Sequence, residues 1–280
     1  MISRQMKKSL IIIFLFSFLF LIPSSALKAQ DNQEFNFDRA YQDYLFTYNQ
    51  YRQAHNEYIT AREQYLNYET LTAKTLALEQ TLRMLQERDN TIRTYLTALR
   101  MKMAETTGIL TYKQNTLYLQ LDAEVAWYVN HHDSLSSAAS LEDLTKLSKE
   151  TEERYGKTQV LIYQGLGIIL EGKENNLKNQ INDQIQILKE KITEIREKGD
   201  KDTTIAERWL LEAENKLIRA QEKIDEANAL LNSLKTFDQD KQEDYNQTQS
   251  LFQEAHLYLK EANGFLKELV REIKTADLNE

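Results

Sequence analysis

The sequence predicts an all-α protein: an elongated, coiled-coil-like bundle of about five long antiparallel helices that ends in a three-helix bundle. Three observations carry that prediction. Pro23 is the only proline in 280 residues. From Gln30 to Thr107, 78 residues pass without proline or glycine, the two strongest helix breakers. Two C-terminal stretches then repeat apolar residues in steps of four and three, the period that keeps one stripe against a partner helix.

The N-terminus carries an address. Arg4, Lys7 and Lys8 precede thirteen residues, Leu10 to Ile22, that are apolar except for Ser17. Pro23 breaks the run, and Ser24 and Ala26 supply the small residues of a cleavage site, so 1–26 reads as a secretory signal peptide. The apolar run is short of the ~20 residues that span a bilayer, and an uncleaved N-terminal anchor is the alternative. The expected location is secreted, extracytoplasmic. Residues 27–35 read as a flexible lead-in. With no cysteine, neither a disulfide nor a lipid-modified cysteine is available, and stability has to come from helix packing.

The first helix is expected to start at Asn36, a good N-cap residue, and to run to Thr107, where Gly108 stops it. A second covers about Tyr112 to His131, and the polar segment Asn130 to Ser137 reads as a loop. Ser140 and Asp143 have capping-box spacing and open a third helix to Lys198, closed by Gly199. Thr204 with Glu207, and Thr236 with Gln239, open a fourth helix to about Lys235 and a fifth to about Thr275.

In the fourth, the stripe is Ala206, Leu210, Ala213, Leu217, Ala220, Ile224, Ala227, Leu231 and Leu234. In the fifth it is Tyr245, Thr248, Phe252, Ala255, Leu259, Ala262, Leu266, Leu269 and Ile273. Alanine at every seventh position lets backbones approach closely. About ten residues separate the stripes, too few for a parallel return, so the two form an antiparallel hairpin. Leu177, Ile181, Leu188, Ile192 and Ile195 supply the third wall. The predicted organisation is therefore a long-helix region over 36–173 and a three-helix bundle over 174–276.

The first helix carries a different stripe, over 37–68. Phe37, Tyr44, Tyr51, Tyr58 and Tyr65 recur every seven residues, with Tyr41 and Tyr48 beside them. After Thr70 the stripe changes to Leu71, Leu78, Leu82, Leu85, Ile92, Leu96, Leu99 and Met103. Asp89 falls on an apolar position of that repeat, so either the helix bends there or Asp89 finds a polar partner. The tyrosine heptad, with Leu71-Thr72-Ala73-Lys74-Thr75 and Ala98-Leu99-Arg100-Met101-Lys102, resembles secreted helical proteins of unknown function from small-genome candidate-phylum bacteria. The resemblance covers the first half of the chain after the signal segment and implies no activity.

Charge narrows the function classes. Cleavage after Ala26 removes Arg4, Lys7 and Lys8 and no acidic residue, leaving 32 basic against 43 acidic residues, a net charge of −11. A chain this acidic has no electrostatic footprint for nucleic acid or an anionic membrane surface. Gly165-Leu166-Gly167 invites a dinucleotide-loop reading, but Leu170 occupies the third glycine position and no strand–helix–strand unit surrounds it. Small residues that let two helices pack closely are the better account. The four histidines are His55, His131, His132 and His256, and no Glu-x-x-His pair or His-Glu-x-x-His helix occurs. No catalytic residue, cofactor site or metal site is predicted, and the chain is expected not to be an enzyme.

The tyrosine stripe has two accounts: core against another helix of the same chain, or an intermolecular face, since each hydroxyl wants a partner or water. Nothing between Thr70 and Asn90 is a strong breaker, so a straight helix is expected. Its stripe, Phe37, Tyr41, Tyr44, Tyr48, Tyr51, Tyr58 and Tyr65, would then be the partner-binding face, centred on Tyr44, Tyr51 and Tyr58. The predicted function is an extracytoplasmic helical scaffold or interaction protein that contacts a protein partner or a second copy of itself. The alternative is a helical bundle that binds a small ligand near Gly165, Gly167 and Trp127.

Overall fold

A computed structural model describes residues 36–199 and 202–278 of the chain. The signal segment and the lead-in to Glu34 and Phe35 lie outside the described residues. Among those described there are six helices and no strand: α1 (Phe37–Tyr68), α2 (Leu71–Glu105), α3 (Thr111–Leu135), α4 (Leu141–Lys198), α5 (Thr204–Ser233) and α6 (Lys241–Leu278).

The straight first helix is overturned. The chain breaks at Glu69, which adopts a left-handed conformation (φ 48°) and donates its N–H to Tyr65 O at 2.9 Å. Thr70 then caps α2, its hydroxyl accepting from Ala73 N–H at 3.2 Å. A left-handed non-glycine residue costs roughly 1–2 kcal/mol. The threonine cap returns about 0.5–2 kcal/mol, and burial of the seam between α1 and α2 does the rest. Phe37 N–H reaches Glu105 at 3.0 Å, Thr47 meets Thr94 at 2.7 Å, and Arg83 bonds Glu57 at 2.6 Å. As one helix is climbed the other is descended, so α1 and α2 form an antiparallel hairpin.

The remaining connections follow the same logic. Asp89 meets His131 and Arg100 meets Asp122, which sets α2 antiparallel to α3. Lys113 meets Glu171 and Glu124 meets Arg154, which sets α3 antiparallel to α4. Lys189–Glu214 with Arg196–Glu207, and Lys216–Glu261 with Lys223–Glu254, do the same for α4 with α5 and for α5 with α6. Glu174–His256 and Tyr163–Tyr245 are both 82 positions apart, so α4 and α6 run parallel.

Three boundaries differ from expectation. The segment His131 to Leu135 is the last turn of α3 and not loop: the stripe Leu117, Leu121, Glu124, Tyr128, His131, Leu135 is buried throughout, with polar residues at two of its positions. Asp202 takes the expected role of Thr204 at the start of α5, accepting from Thr204 N–H at 2.9 Å, while Thr203 bonds Glu207. At the last connection Asp238 accepts from Lys235 N–H at 2.9 Å, and α6 begins only at Lys241, five residues after Thr236. The Ser140 cap and the left-handed Gly199 cap stand where the spacing put them.

The C-terminal stripes are buried as written. Ile181, Ile185 and Ile192 of α4 meet Ala213 and Ala220 of α5 and Leu259, Ala262 and Leu266 of α6, and Phe252 continues that core beside Ile224 and Ala227. No break falls at 173/174. Gly156 already lies against Thr236, Gly167 against Leu231, and Tyr163 stacks on Tyr245 at 4.5 Å, while Gly165 on the same stretch lies against Leu99 of α2. Residues 156–172 of α4 thus pack on both groups of helices, which accounts for the uncharged run from Thr158 to Leu170.

Candidate functional site

The glycine stretch and Trp127 were the place predicted for a small ligand. A methyl group at Gly165 would stand 2.8 Å from Leu99 Cδ2, and at Gly167 it would collide with Leu231. At Gly172 it would meet Ile109 at 2.6 Å, and Gly108, itself left-handed at φ 85°, crosses the Gly172 backbone in turn. Side chains therefore occupy the space beside each glycine, and the glycines set close approach. Trp127 is engaged as well: its ring stacks on His131 at 4.9 Å, meets Tyr128 edge-on at 4.9 Å and lies under the Arg154 guanidinium at 5.1 Å.

Around Trp127 lies the chief concentration of buried polar groups. Asp89, 1 % exposed, accepts from His131 Nδ1 at 2.5 Å, and His131 Nε2 donates to Leu147 O at 3.0 Å. Asp89 Oδ1 has no hydrogen bond, and the nearest cation is Arg88, whose Nε stands 3.6 Å away. Arg88 in turn donates to Ser148 at 3.2 Å. About two helical turns before His131 on α3, the buried Glu124 takes a two-point contact from Arg154 at 2.9 and 2.8 Å and a hydroxyl from Thr158 at 2.7 Å. Burial works against the Glu124 charge, but the bonds from Arg154 and Thr158 and the charges of Arg154 and Lys157 outweigh it, holding the carboxyl below its ordinary range. Tyr128 bonds Thr158 at 3.0 Å, and its burial pushes the phenol well up.

Asp89, His131 and Thr151 have the residue types of an acid–base–nucleophile set. Their geometry serves another end. Nε2 is directed at a backbone carbonyl, Thr151 Oγ1 is 3.4 Å from both ring nitrogens, and all three residues are buried. Asp89–His131 joins α2 to α3 and the other strong bonds join α2 or α3 to α4, so the network fixes how these three helices sit together. Among the described residues no three of His, Asp and Glu converge as metal ligands. Two further buried carboxylates are paired: Glu171 with Lys113 at 2.7 Å and Asn228 at 3.0 Å, and Glu174 with His256 at 3.1 Å.

The tyrosine stripe is largely interior. Phe37, Tyr44 and Tyr51 are buried, and Tyr41, Tyr48, Tyr58 and Tyr65 are half-buried. Tyr44 meets Tyr95 of α2 edge-on at 5.1 Å, and Tyr51 and Tyr58 join a cluster with Met84, Leu85, Leu135 and Leu144. The centre assigned to a partner is thus engaged by the chain's own helices, because the break at Glu69 folds α2 back onto it. Burial, and the nearness of one phenol to the next, raises Tyr44 and Tyr95, and it pushes Tyr155 of α4 up to about 12.

What the fold leaves uncovered is the end of the hairpin. Gln86 bonds Ser136, and Leu135 and Leu144 pack on Leu85, so α3 ends and α4 begins level with this part of α2. Beyond it, over 59–82, Ala61, Ala73 and Ala77 fill the seam between α1 and α2. Five large apolar side chains, Ile59, Leu66, Tyr68, Leu71 and Leu76, are exposed there, while Tyr65, Leu78 and Leu82 are half-buried. Sequence reasoning missed this arm because it missed the turn. The signal was the change from tyrosine to leucine at Thr70. No protein-family model, curated protein or solved structure matches the chain.

Proposed function

We propose that this chain is a non-enzymatic, extracytoplasmic helical scaffold or interaction protein whose contact element is the free end of the α1–α2 hairpin. The observation that supports this reading best is the inversion of size in the arm: Ala61, Ala73 and Ala77 inside, and Ile59, Leu66, Tyr68, Leu71 and Leu76 outside. A two-helix hairpin with its large apolar residues in water gains little from its own packing, since helices are held mainly by burial of such a face. Grouped exposed apolar residues of this kind mark contact surfaces. Export is supported by Arg4, Lys7 and Lys8 ahead of the Leu10–Ile22 run. The polar groups serve the reading as positioning elements: Asp89–His131 and Arg88–Ser148 tie the base of the arm to α3 and α4, and Glu124–Arg154 holds α3 on α4. The acidic balance favours a protein partner over a nucleic acid.

A photo-crosslinking residue placed at Leu66 or Leu71 in the cells that export the protein tests the proposal. Adducts with a protein are expected there and not at Leu211 or Ile218, which are similarly exposed on α5. Adducts from α5 alone, or none from either place, would refute it.

A further inference from the structure

We infer that the groove between α4 and α6 is a docking site for an acidic amphipathic helix of a partner protein; the inference does not rest on the arm. Three packed helices leave a furrow outside each pair, and the one between α4 and α6 opens into a groove of about 330 Å³. Leu188 and Leu266 form its floor, and Ile187 of α4 and Val270 of α6 its walls. Ile187 is 65 % exposed, and the only charged residue lining the groove is Lys267.

Charge names the occupant. Glu254 and Glu261 of α6 pair with Lys223 and Lys216 of α5 at 3.3 and 2.6 Å, and Glu268, seven residues further on, is taken by Arg271. Lys260, Lys267 and Lys274 are also seven apart, and Lys267 places their row on the other flank, along the groove. All three are exposed, and none is ion-paired among the described residues. The facing edge of α4 steps through Gln180, Gln184, Ile187 and Lys191 without a carboxylate of its own, and Lys191 is held by Glu194 at 2.9 Å. An apolar seam with like charges in heptad register on its flank is how helices choose an oppositely charged partner. The row from Lys260 to Lys274 spans about 21 Å, so a single-headed anion would engage one lysine, whereas a helix with acidic residues every seven engages all three.

Gly264 is a second, independent pointer. Each glycine inside α4 has a neighbour where its side chain would stand, whereas nothing lies within 4 Å of that place at Gly264. Glycine weakens a helix interior, and no internal contact accounts for it here. It stands four residues after Lys260 and three before Lys267, hence between them on the helix surface. The missing side chain lets an incoming helix approach α6 closely beside the lysine row.

Fluorescence anisotropy of a labelled peptide made of three Leu-Glu-Ala-Glu-Leu-Ala-Glu repeats, titrated with the exported chain, reads this directly. A groove this small buries less than the ~1,200 Å² of a stable complex, so a dissociation constant of roughly 10–300 µM is expected. Added salt should weaken it, and the same peptide with lysine for every glutamate should not bind. Lys260→Glu/Lys267→Glu/Lys274→Glu changes three side chains already in water. It should keep the parent's helix content and unfolding midpoint while weakening the acidic peptide at least about tenfold. Gly264→Gln should raise the unfolding midpoint and still weaken the peptide several-fold. No binding by the parent, a triple variant or Gly264→Gln variant that binds like the parent, or equal binding of the lysine peptide overturns the inference. So does lysine-dependent binding of the chain to phosphatidylglycerol vesicles in place of the peptide, or a lysine-dependent rise toward two chains' mass in sedimentation equilibrium without it, since either gives the groove a different occupant.

Discussion

Replacing His131 by leucine removes the one group that reaches two buried acceptors at once. Asp89 Oδ2 loses a partner at 2.5 Å and Leu147 O loses one at 3.0 Å. Asp89 Oδ1 already lacks a hydrogen bond, so the only compensation left is the Arg88 guanidinium at 3.6 Å. Stranding a buried charge by deleting its partner costs about 3–5 kcal/mol, while Leu147 O, inside α4, keeps its place in the helix ladder and loses only a second bond. Leucine is close to imidazole in volume, so little cavity term is added, and Arg88 keeps the total toward the low end. About 3–4 kcal/mol is expected. Asp89→Leu/His131→Leu removes the carboxylate together with its partner and should recover most of that loss, short of the parent by what Arg88 loses with Asp89. The assay is urea unfolding at neutral pH, read by circular dichroism and by Trp127 fluorescence in a Trp209→Phe background. A single variant within about 1 kcal/mol of the parent, or a double variant as unstable as the single, would refute the reasoning.

Ala220→Leu should overpack the seam between α5 and its neighbours and cost about 1–3 kcal/mol in the same denaturation assay. Gly172→Ala should cost about as much, its methyl meeting Ile109 at 2.6 Å and Thr107 O at 3.0 Å, whereas Gly264→Ala, with nothing within 4 Å, should stabilise α6 by about 0.5–1 kcal/mol. Burial raises the phenols of Tyr44, Tyr51, Tyr95, Tyr128, Tyr155, Tyr163 and Tyr245, so their contribution to stability is full below about pH 10 and is lost as pH climbs toward the folded values, about 12 for Tyr155. An ultraviolet titration should show these tyrosines ionising together with loss of helix, late and cooperatively; smooth ionisation centred at pH 10 would contradict it.

The parts of the fold that periodicity could reveal were those where every stripe position is apolar. α5 and α6 satisfy that rule from Ala206 to Leu269 with Thr248 the one exception, and both register and antiparallel pairing were readable there. α3 does not, because Glu124 and His131 stand on its buried stripe; their partners Arg154, Thr158 and Asp89 are 30 or more positions away and invisible to a local pattern. Asp89 itself was readable as an anomaly, though not its partner. The turn at Glu69 was hidden for a different reason. It uses a strained glutamate in place of glycine and a threonine cap in place of proline, and only the packing it permits makes that conformation favourable. The stripe's tyrosines were found. Their destination depended on that turn.

α4 has one further consequence. Its 58 residues, about 87 Å at 1.5 Å each, run without a break from the polar network of α2 and α3 to the alanine seams of α5 and α6. There is no joint along it at which one end could swivel against the other. A twist or a pull on the hairpin arm would therefore be carried through a single continuous beam to the C-terminal helices, and anything gripping the arm would hold the far end of that beam at a fixed bearing.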